Sequence, residues 1–550
     1  MRVSGFFSAE KKYVNVIFLH FFLTFFMPAL IGGGAKRVRS SFCAGPAGRE
    51  SPGKQVILEM LLQMICTKLY NVAMKYQIEL TNGSLYRNIL LFSIPLMITN
   101  LLQVLFNMAD VIVAGRFAGK LALASVGSTS MLIFLFTGFL IGLGSGINVL
   151  SAFFLGSRNQ KLLDETVQTS FWFSILWGCI FFASGFLLAK PVLILMQTRA
   201  ELLENAVLYF RIYMFAVPAA AVYNFGSGIL TSGGDTKRPL IILSCAGVLN
   251  VILNLFFVIV LKLSVAGVAL ATVISQYVSA VLVISVLKKG IVFQKNGDKI
   301  PDRKTRFSEN AGTDENISGE QTEFCGKIRL NPAQFYLSRD IFFKLMKLGI
   351  PAGFQNAVFY VANIFIQTGV NHFDAAVVAG CAASHNAESI TFDCMAAFYT
   401  AGASFVGQNF GAQKKDRILK SYLISTGYAA AVSLIFGGLF LAFGREFIGL
   451  FNSNAEVIEG GYTRLVIMAL SMWISAPMDA TTSASRGLGK TAVPSVIIIL
   501  GSCVFRIFWI YTIFKHFMTI KSLFLLFPVS WGITAMAEVI YFIKIYRKCC

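Results

Sequence analysis

Charge is scarce in this chain. Lys, Arg, Asp and Glu together make up 13% of its 550 residues, against 56% hydrophobic, whereas a soluble domain carries about a quarter charged residues. Histidine is nearly missing: His20, His372, His385 and His516 are all there is, without HExxH or a comparable metal spacing. The ten cysteines stand singly apart from Cys549–Cys550, and no CxxC pair occurs. That speaks against disulfides and structural zinc, and the terminal pair reads as free thiols. No Walker sequence is present, so ATP is not expected to drive this chain directly. No GxSxG elbow is present either, so nucleophilic hydrolysis is not expected. The glycines of Ser232–Gly234 and Gly487–Gly489 read as tight turns rather than phosphate cradles. The expectation is a non-enzyme with no cofactor and no resident metal.

What is there is apolar, in lengths that matter. Runs of about 20 residues, enough to cross a bilayer, recur at Phe171–Ala189, Leu240–Leu261, Val265–Leu287, Ile418–Phe443 and Val493–Phe514. The chain reads as an all-α polytopic membrane protein. Its formal net charge of +20 then needs no nucleic-acid partner. Lys and Arg collect in alternate short loops (Arg158/Lys161, Lys237/Arg238, Lys414/Lys415/Arg417/Lys420, Arg486/Lys490) and in the tail Lys544/Arg547/Lys548. The other loops hold fewer. By the positive-inside rule the first set, and the C-terminus, are expected in the cytoplasm.

Residues 1–80 differ from the rest. Val14–Ile31 is apolar behind Lys11/Lys12 and resembles a signal anchor or signal peptide; residues 52–70 have the pattern of an interfacial amphipathic helix. Met74 opens a natural lead-in to the first main span, so residues 1–73 are either an extension or the product of a start codon placed too early. Twelve spans follow, divided by a polar stretch, 290–340, that reads as a disordered cytoplasmic linker. This gives an N-lobe, 81–289, and a C-lobe, 341–550, of six spans each.

The lobes repeat. Pro95, Asn100 and Asn107 recur at a shift of 256 as Pro351, Asn356 and Asn363; Gly156 and Pro239 recur at 255 as Gly411 and Pro494. Landmarks that keep register over such distances mark a duplication. Six spans per repeat preserve orientation, so the repeats are expected to be related by an axis near the membrane normal. Secondary transporters place their substrate path between repeats of this kind.

Polar residues inside the spans are the candidate site. Thr99, Gln103, Asn107 and Asp110 follow spacings of 4, 4 and 3, and Asn356, Tyr360, Asn363 and Gln367 follow 4, 3 and 4, so each set shares one helical face. Such a stripe lines a bundle interior or a water-filled cavity, or glues helices together. An Asp near a helix centre costs about 2.5–3.5 kcal/mol on insertion scales, more than an Asn that would serve as glue. Its distinctive property is a charge that can be gained or lost, which can couple a cation gradient to a conformational change. Further intramembrane charges are Arg211, Glu388, Asp393, Asp479, Arg506 and Glu538. Glu388 and Asp479 are read as cavity lining, with structural pairing as the equal alternative.

The stretches IPLMITNLLQVLFNMADVIVAGRFAG, GILTSGGDTKRPLI, VGQNFGAQKKDR and SRGLGKT resemble the multidrug and toxic compound extrusion (MATE) transporters, from about Leu80 to Lys548, and most of all their DinF-like prokaryotic branch. The resemblance implies two six-helix lobes around a V-shaped cleft, in the plasma membrane. It also implies export of organic, often cationic, compounds in exchange for protons or sodium ions. Carried over residue by residue, it puts the coupling carboxylate at Asp110, an Asn at Asn250 and a Thr at Thr272. Where the family often has a further Asp, this chain has Asn254; oxygens of Asp110, Asn250, Asn254 and Thr272 can still coordinate sodium. Asp479 resembles the span 10 Asp of the NorM branch, whose span 7 acid has no counterpart here. The partners expected are small organic cations and the lipid bilayer, and the protein is expected to be monomeric.

Two rival readings remain. A lipid-linked oligosaccharide flippase or polysaccharide exporter of the same superfamily needs cationic cavity residues, of which Arg506 is the main candidate. A membrane enzyme acting on lipids needs clustered His, Asp or Ser at a membrane boundary, and no such cluster occurs.

Overall fold

The computed structural model describes residues 78–196, 198–292, 326–449, 451 and 454–549. The apolar run Val14–Ile31 and the amphipathic stretch after it lie outside the described residues.

The first half comprises α1 (Leu85–Val113), α2 (Lys120–Gly156), α3 (Gln160–Leu195), α4 (Ala200–Met214), α5 (Ala216–Ser232), α6 (Lys237–Leu255) and α7 (Ser264–Lys289). Helices α4 and α5 form one span, bent by 42°. Side-chain capping starts α3, where Asn159 accepts from the Leu162 N–H. Helices α1 and α6 each end in a π-helical turn, Ala114–Ala118 and Phe256–Val260.

The second half comprises α8 (Arg339–Val370), α9 (Ala375–Gly411), α10 (Lys415–Gly449), α11 (Ala455–Ser471) and α12 (Ser475–Gly487). An interrupted span follows, from α13 (Ala492–Ile498) through α14 (Phe505–Trp509) to α15 (Lys515–Phe517). The last span joins α16 (Ile520–Phe524) to α17 (Leu526–Cys549). Among the described residues, ten spans are apolar and long enough to cross a membrane, counting the bent pair as one. The remaining two are α8 and α9, of 32 and 37 residues. At 1.5 Å per residue each reaches well over the roughly 30 Å of a hydrocarbon core. Their amides, alanines and glycines lower their hydropathy because much of their surface meets protein rather than lipid. Twelve spans result, six per half.

The two halves meet along α1, α2, α8 and α9. Gly142 and Gly146 of α2 face Gly353 and Gly349 of α8, with no room for a Cβ at either crossing; small residues let membrane helices approach closely. The α2–α9 crossing is reciprocal: Gly156 lies against the Gln408 backbone, and Gly411 against that of Phe153. Each contact maps onto the other at a shift of 255, the signature of a two-fold interface.

Each first helix begins in the other half's core. Leu85, Ile89, Phe92 and Leu96 of α1 pack with Phe405, Phe398 and Leu488 of the second half. Ile341, Leu345 and Leu348 of α8 pack with Phe173, Phe225 and Val283 of the first. The far ends return home: Val113 packs with Val258 and Val265, and Val370 with Phe514 and Leu523. The halves are therefore joined at one end and diverge beyond the level of Phe134 and Tyr360, leaving a V-shaped cleft.

A short segment seals the joined end. The Ile78 N–H donates to the Gly234 carbonyl, 3.3 Å. Four consecutive carbonyls then accept from second-half side chains: Leu80 from Asn409 (3.1 Å), Thr81 from Lys414 (2.9 Å), Asn82 and Gly83 from Arg417 (3.2 and 3.0 Å). Gln408 crosses directly to the Ser232 carbonyl at 2.5 Å.

The linker departs from expectation at its ends. Ile291–Val292 pairs antiparallel with Lys327–Ile328. Ile328 and Leu330 are buried in the first-half core, Trp172 donates to the Gln334 carbonyl at 3.3 Å, and the Ser338 N–H donates to Thr169 at 3.0 Å. Those apolar residues and Phe335, whose ring lies 5.0 Å from that of Trp172, give these 13 or so residues (326–338) enough burial to order them. Residues 293–325 lie outside the described residues.

Candidate functional site

Asp110 sits in the last turn of α1, where three helices converge. Asn250 and Asn254 are four apart on α6 and so share a face; Thr272 and Ser275 come from α7. Asn254 Nδ2 donates to Asp110 Oδ1 in a short hydrogen bond and to Asn250 Oδ1 at 3.1 Å. Thr272 Oγ1 donates to Asp110 Oδ2 at 3.3 Å. Asn250 Nδ2 lies 3.3 Å from Thr272 Oγ1 and 3.5 Å from Ser275 Oγ. Asn250, Asn254 and Thr272 are buried, and Asp110 is half-buried. The four residues named for cation coupling thus form one connected network.

The network ends on an unsatisfied group. Among the described residues Asn254 Oδ1 is buried without a hydrogen-bond partner, a costly state for an amide oxygen. Together with the Asp110 carboxylate and Asn250 Oδ1 it gives a set of hard oxygen donors, the chemistry that suits a small hard cation or a protonated carboxyl. Tyr209 and Tyr213, which sequence reasoning missed, stand within electrostatic reach of Asp110. Tyr209 joins Val113, Ala114, Val258 and Val265 in an apolar cluster beside the site. Nothing in the sequence around Tyr209 and Tyr213 marks them apart from any aromatic on a span.

The other candidates divide. Gln103 and Asn107 are exposed on the α1 face that leads to Asp110. Thr99 is not on that open surface: it is buried, with its hydroxyl bonded to the Pro95 carbonyl at 2.7 Å. Asn356 ties α8 to α2 through the Gly138 carbonyl, 3.0 Å, and Tyr360 stacks on Phe134, ring centroids 5.7 Å apart. Asn363 is half-buried; Gln367 is exposed and bonded to Asn371 at 2.9 Å.

Glu388 belongs to a structural pair. Its two oxygens accept from Arg464 Nε and Nη2, both at 2.7 Å, and both residues are buried. The fork geometry matches a carboxylate in two places, so this carboxylate holds α9 to α11; it also lines a small pocket with Thr391, Ser433 and Leu465. Arg464 itself was overlooked, although an Arg inside YTRLVIMAL requires a partner. Asp479 is half-buried on α12, with Oδ2 unpartnered and Arg486 and Arg506 within electrostatic reach. Arg486, which the sequence placed among loop cations, is turned inward and donates to Gln355 Oε1 at 2.6 Å. Arg506 is 2% exposed, lies 4.6 Å from the Phe527 ring centroid and 5.9 Å from that of Trp531, and bonds Ser530 at 3.2 Å. Among the described residues the acidic network of the first half is not repeated in the second.

A duplicated six-helix unit, an inter-repeat cleft and a carboxylate network inside the spans define a transporter class of membrane protein. The comparisons with known proteins resolve the family. The MatE family profile matches residues 95–256 and 351–512, two blocks at the 256-residue shift of the repeat. The chain belongs to the MatE family. Among curated relatives, the probable multidrug resistance protein YoeA of Bacillus subtilis (strain 168) is 24% identical over 426 residues, 75% of this chain and 84% of that protein. The FAD transporter of Shewanella oneidensis is 23% identical, over 70% of this chain and 78% of that protein. Among solved structures, a MOP superfamily transporter from Pyrococcus furiosus superposes with a TM-score of 0.74 at 20% identity, covering 86% of this chain and 99% of that one.

Proposed function

We propose that this protein exports small organic compounds, cations among them, across the cell membrane by alternating access, in exchange for protons or sodium ions. The observation that carries this reading is the Asp110 network. A carboxylate in the bilayer is bound by an amide and a hydroxyl from two other helices, beside an orphaned amide oxygen. A proton or sodium ion arriving there replaces the Asn254 and Thr272 contacts and changes what holds α1 against α6 and α7. That differential binding is what coupling to a conformational change requires.

The names of relatives, several of them probable multidrug resistance proteins, support the substrate range. The joined end carries the more basic loops, so the cleft opens away from the cytoplasm. Arg506, enclosed by aromatic rings at 2% exposure, offers little to a pyrophosphate-linked lipid, which favours export over the flippase reading. We take the protein to act as a monomer without ATP.

The test uses the purified chain in liposomes loaded with a cationic dye, under a proton or a sodium gradient applied separately. One gradient should drive dye movement, and Asp110→Asn should abolish it. Equal dye movement in the variant would remove Asp110 from coupling. Dye that moves under neither gradient would remove the exporter reading itself.

A further inference from the structure

The intramembrane carboxylates keep different company. Glu388 has Arg464, and Asp110 has Asn254 and Thr272. Asp393, on α9, is half-buried, and its carboxylate makes no hydrogen bond or ion pair among the described residues. An isolated carboxylate at this depth is expensive unless it faces a polar cavity. Its backbone is pinned, because Asn100 of α1 donates to the Asp393 carbonyl at 2.8 Å.

Aromatic surface is held beside it. Tyr360 of α8 stands within electrostatic reach of Asp393 and stacks on Phe134 of α2 with 13° between the ring planes. Phe134 is 40% exposed, so part of the pair remains open. Asn356, one turn before Tyr360, fixes the α8–α2 crossing through Gly138. The first two helices of both halves thus each supply a fixed group at the level where the inter-half contacts stop, the floor of the cleft. A few placed polar groups on a largely apolar, concave surface are what small-molecule sites are made of.

We propose that Asp393 and the Phe134–Tyr360 pair form the subsite that selects the transported compound, favouring a flat aromatic ring that carries a positive charge. The carboxylate supplies the counter-charge, and the exposed ring face supplies stacking and cation–π attraction. Recognition then rests on α2, α8 and α9, and ion coupling on α1, α6 and α7. The two ligands act through different helices rather than competing for one group. This assignment rests on the exporter reading, and the experiment separates the two.

Binding of 9-aminoacridine, a cation at neutral pH, and of acridine, its neutral parent, is titrated by fluorescence on the full chain in detergent without any gradient. Wild type should prefer the cation. Asp393→Asn should weaken 9-aminoacridine by about tenfold, the scale of a partly desolvated cation interaction, and leave acridine unchanged. Asp393→Glu should restore the preference, and Phe134→Leu should weaken both ligands. No preference in wild type, equal losses for both ligands in Asp393→Asn, or failure of Asp393→Glu to restore the preference would each overturn the proposal. Charge-selective binding that persists while gradient-driven transport fails would overturn the exporter reading and leave the subsite standing.

Discussion

Ser404 donates a hydrogen bond to Asn148 at 3.0 Å, and the two residues are 256 positions apart. On α2 and α9 the repeat offset is 255, so each residue lies one position from the other's counterpart. Near-counterparts can touch only close to where the axis relating the halves passes. Both are buried, on α2 and α9, which places the pseudo-two-fold axis at this crossing. Asn148→Ala removes the acceptor of a buried hydroxyl and should cost about 1–3 kcal/mol, read as a lower thermal midpoint in detergent. Ser404→Ala should cost more, since it leaves the buried Asn148 Oδ1 without its donor, whereas after Asn148→Ala the Ser404 hydroxyl still has the Thr400 carbonyl at 3.0 Å. An equal or reversed order would remove the bond from the set that holds the halves together.

Within the Asp110 network the partners should act in order of their contacts. Asn254→Leu removes donors to both Asp110 and Asn250 and should lower ion-driven dye transport more than Thr272→Ala, which removes one donor to Asp110 at 3.3 Å. Each lost charge-assisted bond is worth about 1.5–3 kcal/mol, or roughly ten- to a hundredfold in ion affinity. The check is the gradient needed for half-maximal dye movement. If the two substitutions raise it equally, the network is not graded in this way.

Breaking the Glu388–Arg464 pair should hurt stability and not mechanism. Glu388→Gln leaves a buried guanidinium without its counter-charge, at a cost of about 3–5 kcal/mol. The double replacement Glu388→Leu with Arg464→Met should recover most of it, because an apolar pair of similar volume avoids desolvation. Thermal unfolding of the three chains measures this, and transport per folded molecule should stay near wild type for the double variant.

The sealed end should loosen when its donors are shortened. Arg417→Gln gives up bonds to the Asn82 and Gly83 carbonyls. Spin labels at the exposed positions Lys161 and Lys420 should then report a wider distance distribution than in the otherwise unaltered labelled chain. An unchanged distribution would mean that Gln408 and the glycine crossings suffice to keep this end shut.

Much of this molecule was legible before its coordinates. Pro95 and Pro351, or Gly156 and Gly411, announced the duplication, because helix length and loop register survive when side chains diverge. Asp110, Asn250, Asn254 and Thr272 were named from the resemblance and lie together in the structure. Pairings across long sequence distances were out of reach. For Glu388 the sequence left cavity lining and structural pairing equal, and only the approach of α11 brings Arg464 to it. Arg486 read as a loop cation because hydropathy does not say which way a side chain at a helix end turns. Spacing put Thr99 on the same face as Gln103, but the nearby Pro95 gives its hydroxyl a backbone carbonyl to bond. The ordered ends of the linker escaped notice because a few buried apolar residues, Ile328 and Leu330 among them, hardly alter the composition of a polar stretch.

The exchange of first helices between the two cores bears on how the protein is made. Chains emerge N-terminal end first, and domains ordinarily close as they appear. Here the first-half core has a slot that only Ile341, Leu345 and Leu348 fill, so the ribosome must pass the polar linker and begin the second repeat before the first can finish packing. Until then Leu85, Ile89, Phe92 and Leu96 also wait for a core not yet synthesised. A gene cut at the linker should therefore give two fragments that are unstable apart and recover when produced together, each supplying the piece the other lacks.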